Sequence, residues 1–209
     1  ASTPWSTLKD VEVTKGRSGG IPSQNGSVVK DKYTAKLCTL ERFLEICRQN
    51  NVIPVIELKS SPGITNSDQS RMQALMDVIG RCRMLQKCVL LGSQYNCLIW
   101  TRQNGYDYIP CQYLVNSCES NTVLNRCIDY NLDVSINVTG TGISNSDEWL
   151  AKYKEKGIKI STYTFTQYVD YPTVQLWIDK GVDFVTVDWH IMEKLNLPLG
   201  EDPNLPKYK

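Results

Sequence analysis

The chain has 209 residues, 41% of them hydrophobic and 22% charged, with a formal net charge of +1. Those values describe a globular chain and exclude wholesale disorder. The charge excludes binding nucleic acid or an anionic membrane through bulk electrostatics, so any phosphate must be recognised by a local site. No apolar run approaches the ~20 residues that span a bilayer.

Residues 1 to 36 read as an irregular segment. Gly16 to Ser27 is rich in Gly, Ser and Pro, and only short strand-like pieces, Val11–Val13 and Ser27–Val29, stand out. The pattern becomes rhythmic after Cys38. Thr39 is a candidate N-cap, and Glu41 suits the first turn of a helix with Leu40, Phe43, Leu44 and Cys47 on one face. The apolar run Val52–Lys59 reads as a strand buried on both faces of a parallel sheet, with Pro54 near its start.

The alternation then repeats. Ser67 or Ser70 opens a helix through Met72, Leu75, Met76 and Ile79, followed by a strand over Cys88–Ser93. A short helix around Cys97–Arg102 leads to a strand at Ile109–Val115. A helix carrying Val123, Leu124 and Cys127 leads to Asp133–Val138. Ser146 and Asp147 open a helix that Gly157 ends, before a strand at Ile158–Phe165. Pro172 suits the first turn of the next helix, Gly181 its end, and Asp183–Asp188 is the last strand.

The strands begin near 52, 87, 109, 133, 158 and 183, so the last four steps are 22, 24, 25 and 25 residues. Strands and helices alternating at this spacing imply βα units and a parallel sheet. The absence of any G-x-G-x-x-G or G-x-x-x-x-G-K sequence argues against a doubly wound nucleotide-binding sheet. The expected fold class is α/β, a (β/α)8 TIM-type barrel, incomplete in this chain, with about six βα units matching strands 3 to 8. Residues 37 to 209 are its C-terminal part. Six barrel strands leave two open edges, so either the short pieces before residue 36 patch the gap or a preceding segment or partner chain completes it.

The eight cysteines (38, 47, 82, 88, 97, 111, 118 and 127) include no C-x-x-C pair. Several fall on apolar faces, where a reduced thiol acts as a small hydrophobe. The sequons at Asn25 and Asn137 have meaning only in a glycosylating compartment. The compartment itself is left open, cytoplasmic or extracellular.

The stretch Thr39–Lys59, TLERFLEICRQNNVIPVIELK, resembles the middle of the glycerophosphodiester phosphodiesterase family. Ser93, Tyr163-Thr164, Gly181-Val182-Asp183 and Asp188 are similar to later family features, and the resemblance covers roughly residues 37 to 195. It implies a (β/α)8 barrel that hydrolyses glycerophosphodiesters, releasing glycerol phosphate and an alcohol, with a divalent cation, Mg²⁺ or Ca²⁺. The family's His-Arg-Gly and Glu-x-Asp strands, and the His-Asp pair that follows, are absent from the chain. The resemblance therefore places no catalytic residue here, and the chain alone is expected to be inactive.

By that resemblance Glu57 is a metal carboxylate, and a simple ion-paired strand-end Glu is the alternative. Lys59, two residues on and on the same strand face, would hold a phosphate oxygen or orient Glu57. Tyr163 would set an aromatic ring near the glycerol carbons, where the family usually has Trp. Ser93, near a strand end, would contact substrate, and a structural strand-end residue is the alternative. Asn137 and Asp188 also fall near strand ends, and His190, the single histidine, reads as a surface or supporting residue. The departures at Gln94 and Tyr163 leave the ligand open between small phosphodiesters and a polyglycerolphosphate polymer such as teichoic acid. A barrel that only binds such ligands is a second reading. A relative of the phospholipase D-like toxins is a third, and it would imply secretion and disulfides.

Overall fold

The computed structural model describes residues 3–14, 21–22, 28–29, 34–59, 69–138, 146–165 and 171–187. The first part holds a one-turn helix, α1 (Trp5–Leu8), and four short strands, β1 (Glu12–Thr14), β2 (Ile21–Pro22), β3 (Val28–Val29) and β4 (Thr34–Lys36). β1 pairs antiparallel with β4, and β2 with β3. Neither pair joins the main sheet. The short pieces of this region therefore pair with one another and do not patch a barrel.

The rest is successive βα units: α2 (Leu40–Gln49), β5 (Val55–Glu57), α3 (Gln69–Arg81), β6 (Val89–Gly92), α4 (Tyr95–Gln103), β7 (Cys111–Val115), α5 (Asn121–Asp129), β8 (Asp133–Asn137), α6 (Ser146–Glu155), β9 (Ile160–Phe165), α7 (Tyr171–Asp179) and β10 (Phe184–Val187). β5 to β10 form one six-stranded, all-parallel sheet in chain order, an open portion of a TIM-type barrel. The strands start one to three residues later than expected, or at the expected residue, because their first apolar residues lie in the helix–strand turns. Asp188 and His190 lie outside the described residues.

The helix–strand turns share one device. Six helices end with a residue at positive φ: Asn51 (52°), Arg83 (59°), Gly105 (81°), Asn131 (48°), Gly157 (70°) and Gly181 (72°). In each, the N–H of the following apolar residue returns to a carbonyl five residues earlier. Val52 donates to Cys47 at 2.9 Å, Met84 to Ile79 at 3.0 Å, Leu132 to Cys127 at 2.9 Å and Ile158 to Tyr153 at 3.1 Å. This is the Schellman closure, which satisfies the last carbonyls of each helix and leads into the next strand, with Met84, Leu132 and Ile158 buried as they enter it. Glycine and asparagine enter the left-handed region readily. An arginine there costs about 1 kcal/mol.

At the start of α2, the Thr39 side chain accepts from the Arg42 N–H at 3.2 Å, as the N-cap reading requires. Leu44 and Cys47 of α2 are buried, but Phe43 and Ile46 are 40% and 42% exposed. β5 departs from expectation in the same way. Val52, Ile53 and Val55 are 54%, 50% and 51% exposed. The apolar run does form a strand, but among the described residues β5 pairs on one side only, so residues suited to full burial stand exposed at the sheet edge.

A guanidinium ties the far end of the sheet together. Arg102 of α4 donates to five carbonyls: Tyr106, Asp107, Ile109, Tyr130 and Asn131, at 2.8 to 3.4 Å. These carbonyls belong to the turns entering β7 and β8. All eight thiols are free, and Cys47, Cys88, Cys97, Cys111, Cys118 and Cys127 are buried in the core.

Candidate active-site face

The two faces of the sheet follow from one contact and the strand alternation. Tyr113 of β7 meets α5, where Arg126 Nη1 donates to its hydroxyl at 2.9 Å, so Tyr113 faces the helices. Its neighbours Gln112 and Leu114 face the barrel interior. The parallel register then places Glu57, Leu91, Gln112 and Asp133 in one interior row. Leu114, Ser135 and Ser161 share the next row, and Asn137 lies beside Tyr163 above it. The interior is polar, while the helix side carries Leu90, Cys111, Val134, Ile136 and Ile160. Gln112, Ser135 and Ser161 are nevertheless buried.

Glu57 ends β5, and Lys59 follows it by two residues. The Lys59 Nζ lies 3.2 Å from Glu57 Oε2 in an ion pair open to solvent. Tyr163 comes from the C-terminal half of β9. Its hydroxyl donates to the Val115 carbonyl at the end of β7, 3.1 Å away, so the side chain spans the end of β8. Partial burial raises the Tyr163 pKa, and the negative charge of Glu57 raises it further. Tyr163 and Glu57, on strands four places apart, thus sense one another across the mouth.

The structure pairs Glu57 with Lys59 and sets Tyr163 on the same interior face, at the C-terminal end of the sheet. Ser93 stands just past β6, exposed, with no side-chain hydrogen bond among the described residues. Its backbone carbonyl accepts from Tyr95 N–H at 3.0 Å. Asn137 lies at the end of β8 beside Tyr163.

Two supporting residues are not legible from motif alone. Val115 contributes through its backbone carbonyl, which no side-chain pattern announces. Gly92 closes β6 against Leu58, the residue between Glu57 and Lys59. A Cβ at Gly92 would sit 3.1 Å from the Leu58 carbonyl oxygen and 3.2 Å from Leu58 Cβ. The Leu58 N–H meanwhile donates to the Leu91 carbonyl at 2.6 Å. A glycine at the end of a strand that must approach its neighbour closely is the available signal.

A hard cation such as Mg²⁺ or Ca²⁺ takes six or more oxygens, several from carboxylates. Among the described residues no group of three or more His, Cys, Asp or Glu side chains could hold a metal ion. Glu57 alone, already paired with Lys59, does not make such a site.

No family model and no curated protein matches the sequence. Solved structures do. A glycerophosphodiester phosphodiesterase from Parabacteroides distasonis superposes with a TM-score of 0.66 at 19% identity, over 93% of this chain and 71% of that one. A protein from Silicibacter pomeroyi, assigned as a glycerophosphoryl diester phosphodiesterase, gives 0.66 at 16% identity, over 93% and 69%. A phosphodiesterase from Oleispira antarctica, in complex with the product sn-glycerol-3-phosphate, gives 0.62 at 16% identity, over 78% and 62%. Low identity makes these matches evidence of fold. With the IELK-centred sequence resemblance they converge on one family, and the chain has the fold of the glycerophosphodiester phosphodiesterase barrels.

Proposed function

We propose that this chain is the six-unit C-terminal portion of a phosphoric diester hydrolase that cleaves glycerophosphodiesters into glycerol phosphate and an alcohol. The observation that carries the reading is the placement of the Glu57–Lys59 ion pair and of Tyr163, anchored on Val115, at the C-terminal mouth of a parallel barrel sheet, the face where barrel enzymes place their chemistry. Lys59 offers a cation to a phosphoryl oxygen, and Glu57 holds that ammonium in place. Tyr163, anchored on Val115, offers a ring to the glycerol carbons. A preceding segment or partner chain, docked on the open β5 edge, completes the barrel and supplies the missing acid–base groups. In a completed barrel Glu57 would be one carboxylate of a divalent-cation site whose other ligands come from outside the described residues, and the cation would neutralise phosphoryl charge.

The test is hydrolysis of glycerophosphocholine with Mg²⁺ or Ca²⁺. The 209-residue chain alone should show no turnover. A barrel completed with two N-terminal βα units should turn over and lose activity with Glu57→Gln. Turnover by the chain alone, abolished by Glu57→Gln, would overturn the need for completion.

A barrel that binds glycerophosphate-type ligands such as teichoic acid without cleaving them is the second reading. Binding of sn-glycerol-3-phosphate, sensitive to Lys59→Ala, by a completed barrel that never turns over would establish it.

A further inference from the structure

A cleft of ≈ 580 Å³ lies between α2 and the end of α3, lined by Arg42, Arg48, Arg81 and Arg83 with Glu41 and Glu45. Arg83 lies in the turn that leads from α3 to β6, so the cleft is at the N-terminal end of the strands. Glu57 and Tyr163 are at the opposite end.

Two of the four guanidiniums are committed. Arg81 pairs with Glu41 at 2.7 Å and Arg42 with Glu45 at 2.6 Å. Arg48 and Arg83 have no carboxylate partner among the described residues, which leaves the cleft a net charge of +2. Arg48 and Arg81 stand in the last turns of their helices, where the dipole favours a cation, and need no further reason. Arg83 does not. It occupies the left-handed position that glycine or asparagine takes in the five other helix–strand turns. A backbone held in a sparsely populated region by a residue that strains it is a pointer to function.

We propose that this cleft binds a phosphate dianion, free or as a phosphomonoester, with Arg48 and Arg83 as its principal ligands. A guanidinium presents two parallel N–H donors that match two phosphate oxygens, and two free guanidiniums balance a dianion. The carboxylates hold Arg42 and Arg81 at the flanks, where they shape the cleft without filling it. The site is independent of the mouth of the barrel.

The experiment is calorimetric titration of the chain with inorganic phosphate, and separately with sn-glycerol-3-phosphate, at fixed ionic strength. Arg83→Gly and Arg48→Ala should each weaken binding about tenfold. Lys152→Ala, on α6 and outside both the cleft and the mouth, should leave binding within about twofold. Arg83→Gly relieves the backbone strain, so its Tm should equal or exceed that of the parent, which separates lost binding from lost folding. Equal affinity for both probes assigns the free dianion, and tighter binding of the ester that is lost in Arg83→Gly but kept in Lys59→Ala assigns the monoester. Binding unchanged in both arginine variants, binding lost in Lys59→Ala instead, or no heat up to about 10 mM phosphate would overturn the proposal.

Discussion

The Tyr163 hydroxyl donates to the Val115 carbonyl at 3.1 Å, which joins the ends of β9 and β7 over the strand between them. Because the Glu57 charge adds to burial in disfavouring tyrosinate, Tyr163 keeps its proton above the usual phenol range. Replacing Glu57 by Gln removes one of the two causes. Its ionisation, followed by tyrosinate absorbance in Tyr163→Phe difference titrations, should then move to lower pH. An unmoved or rising midpoint would mean that the two side chains do not share the mouth. Tyr163→Phe should cost about 1 kcal/mol, the loss of one partly buried hydrogen bond, measured by urea unfolding.

Gly92 lets the end of β6 approach Leu58 closely enough that an added methyl must displace backbone between Glu57 and Lys59. Gly92→Ala should therefore weaken sn-glycerol-3-phosphate binding at the mouth, while the helix content seen by circular dichroism stays unchanged. Unaltered affinity would show that the Glu57–Lys59 pair does not form the ligand site.

The exposed apolar residues Phe43, Ile46, Val52, Ile53 and Val55 lie on α2 and on the run into β5, whose outer edge has no strand partner among the described residues. Isolated chains should self-associate and bind a hydrophobic dye. Ile53→Lys should suppress both, read by light scattering and dye fluorescence. A monomeric parent that binds no dye would count against a missing cover on this edge.

Arg102 gathers five carbonyls from the turns that enter β7 and β8. Lysine carries the charge but lacks the planar fork. Arg102→Lys should cost about 2 kcal/mol in urea unfolding and Arg102→Ala about 3 kcal/mol, since the carbonyls lose charged donors. A change below about 0.5 kcal/mol would mean that water replaces the guanidinium without penalty.

Burial pushes the thiols of Cys88 and Cys127 up to about 12 and that of Cys118 up to about 11. Their folded values are raised, so the stability they contribute is intact below the unfolded thiol pKa of about 8.5 and declines above it, as unfolded thiols ionise and folded ones do not. At about pH 10.5 each costs roughly 2 to 3 kcal/mol. The Tm should be level from pH 6 to 8 and fall steeply between about pH 9 and 11. Native alkylation at pH 8 should label exposed Cys38 and partly exposed Cys82 well before the six buried thiols. Rapid labelling of Cys127 would contradict the packed core.

Local chemistry made much of this fold legible. Thr39 caps its helix because a threonine oxygen satisfies an orphan N–H wherever a helix begins there. Gly157 and Gly181 end theirs because a left-handed turn suits a residue without Cβ. The repeated spacing of such units carried the parallel sheet and its strand order. The IELK segment carried the family resemblance and pointed to Glu57 and Lys59, which their own two-residue separation brings together.

Tertiary structure decided what depends on which surfaces find partners. The run Val52–Val55 has the composition of a central strand, yet its burial depends on a neighbour on each side, and among the described residues it has one. Phe43 likewise lies on an apolar helix stripe and is 40% exposed. Pairings across long separations, Tyr163 with Val115 and Glu41 with Arg81, arise from strand register and helix packing, to which no local pattern has access. The strain at Arg83 became visible only when six turns of the same geometry could be set beside one another.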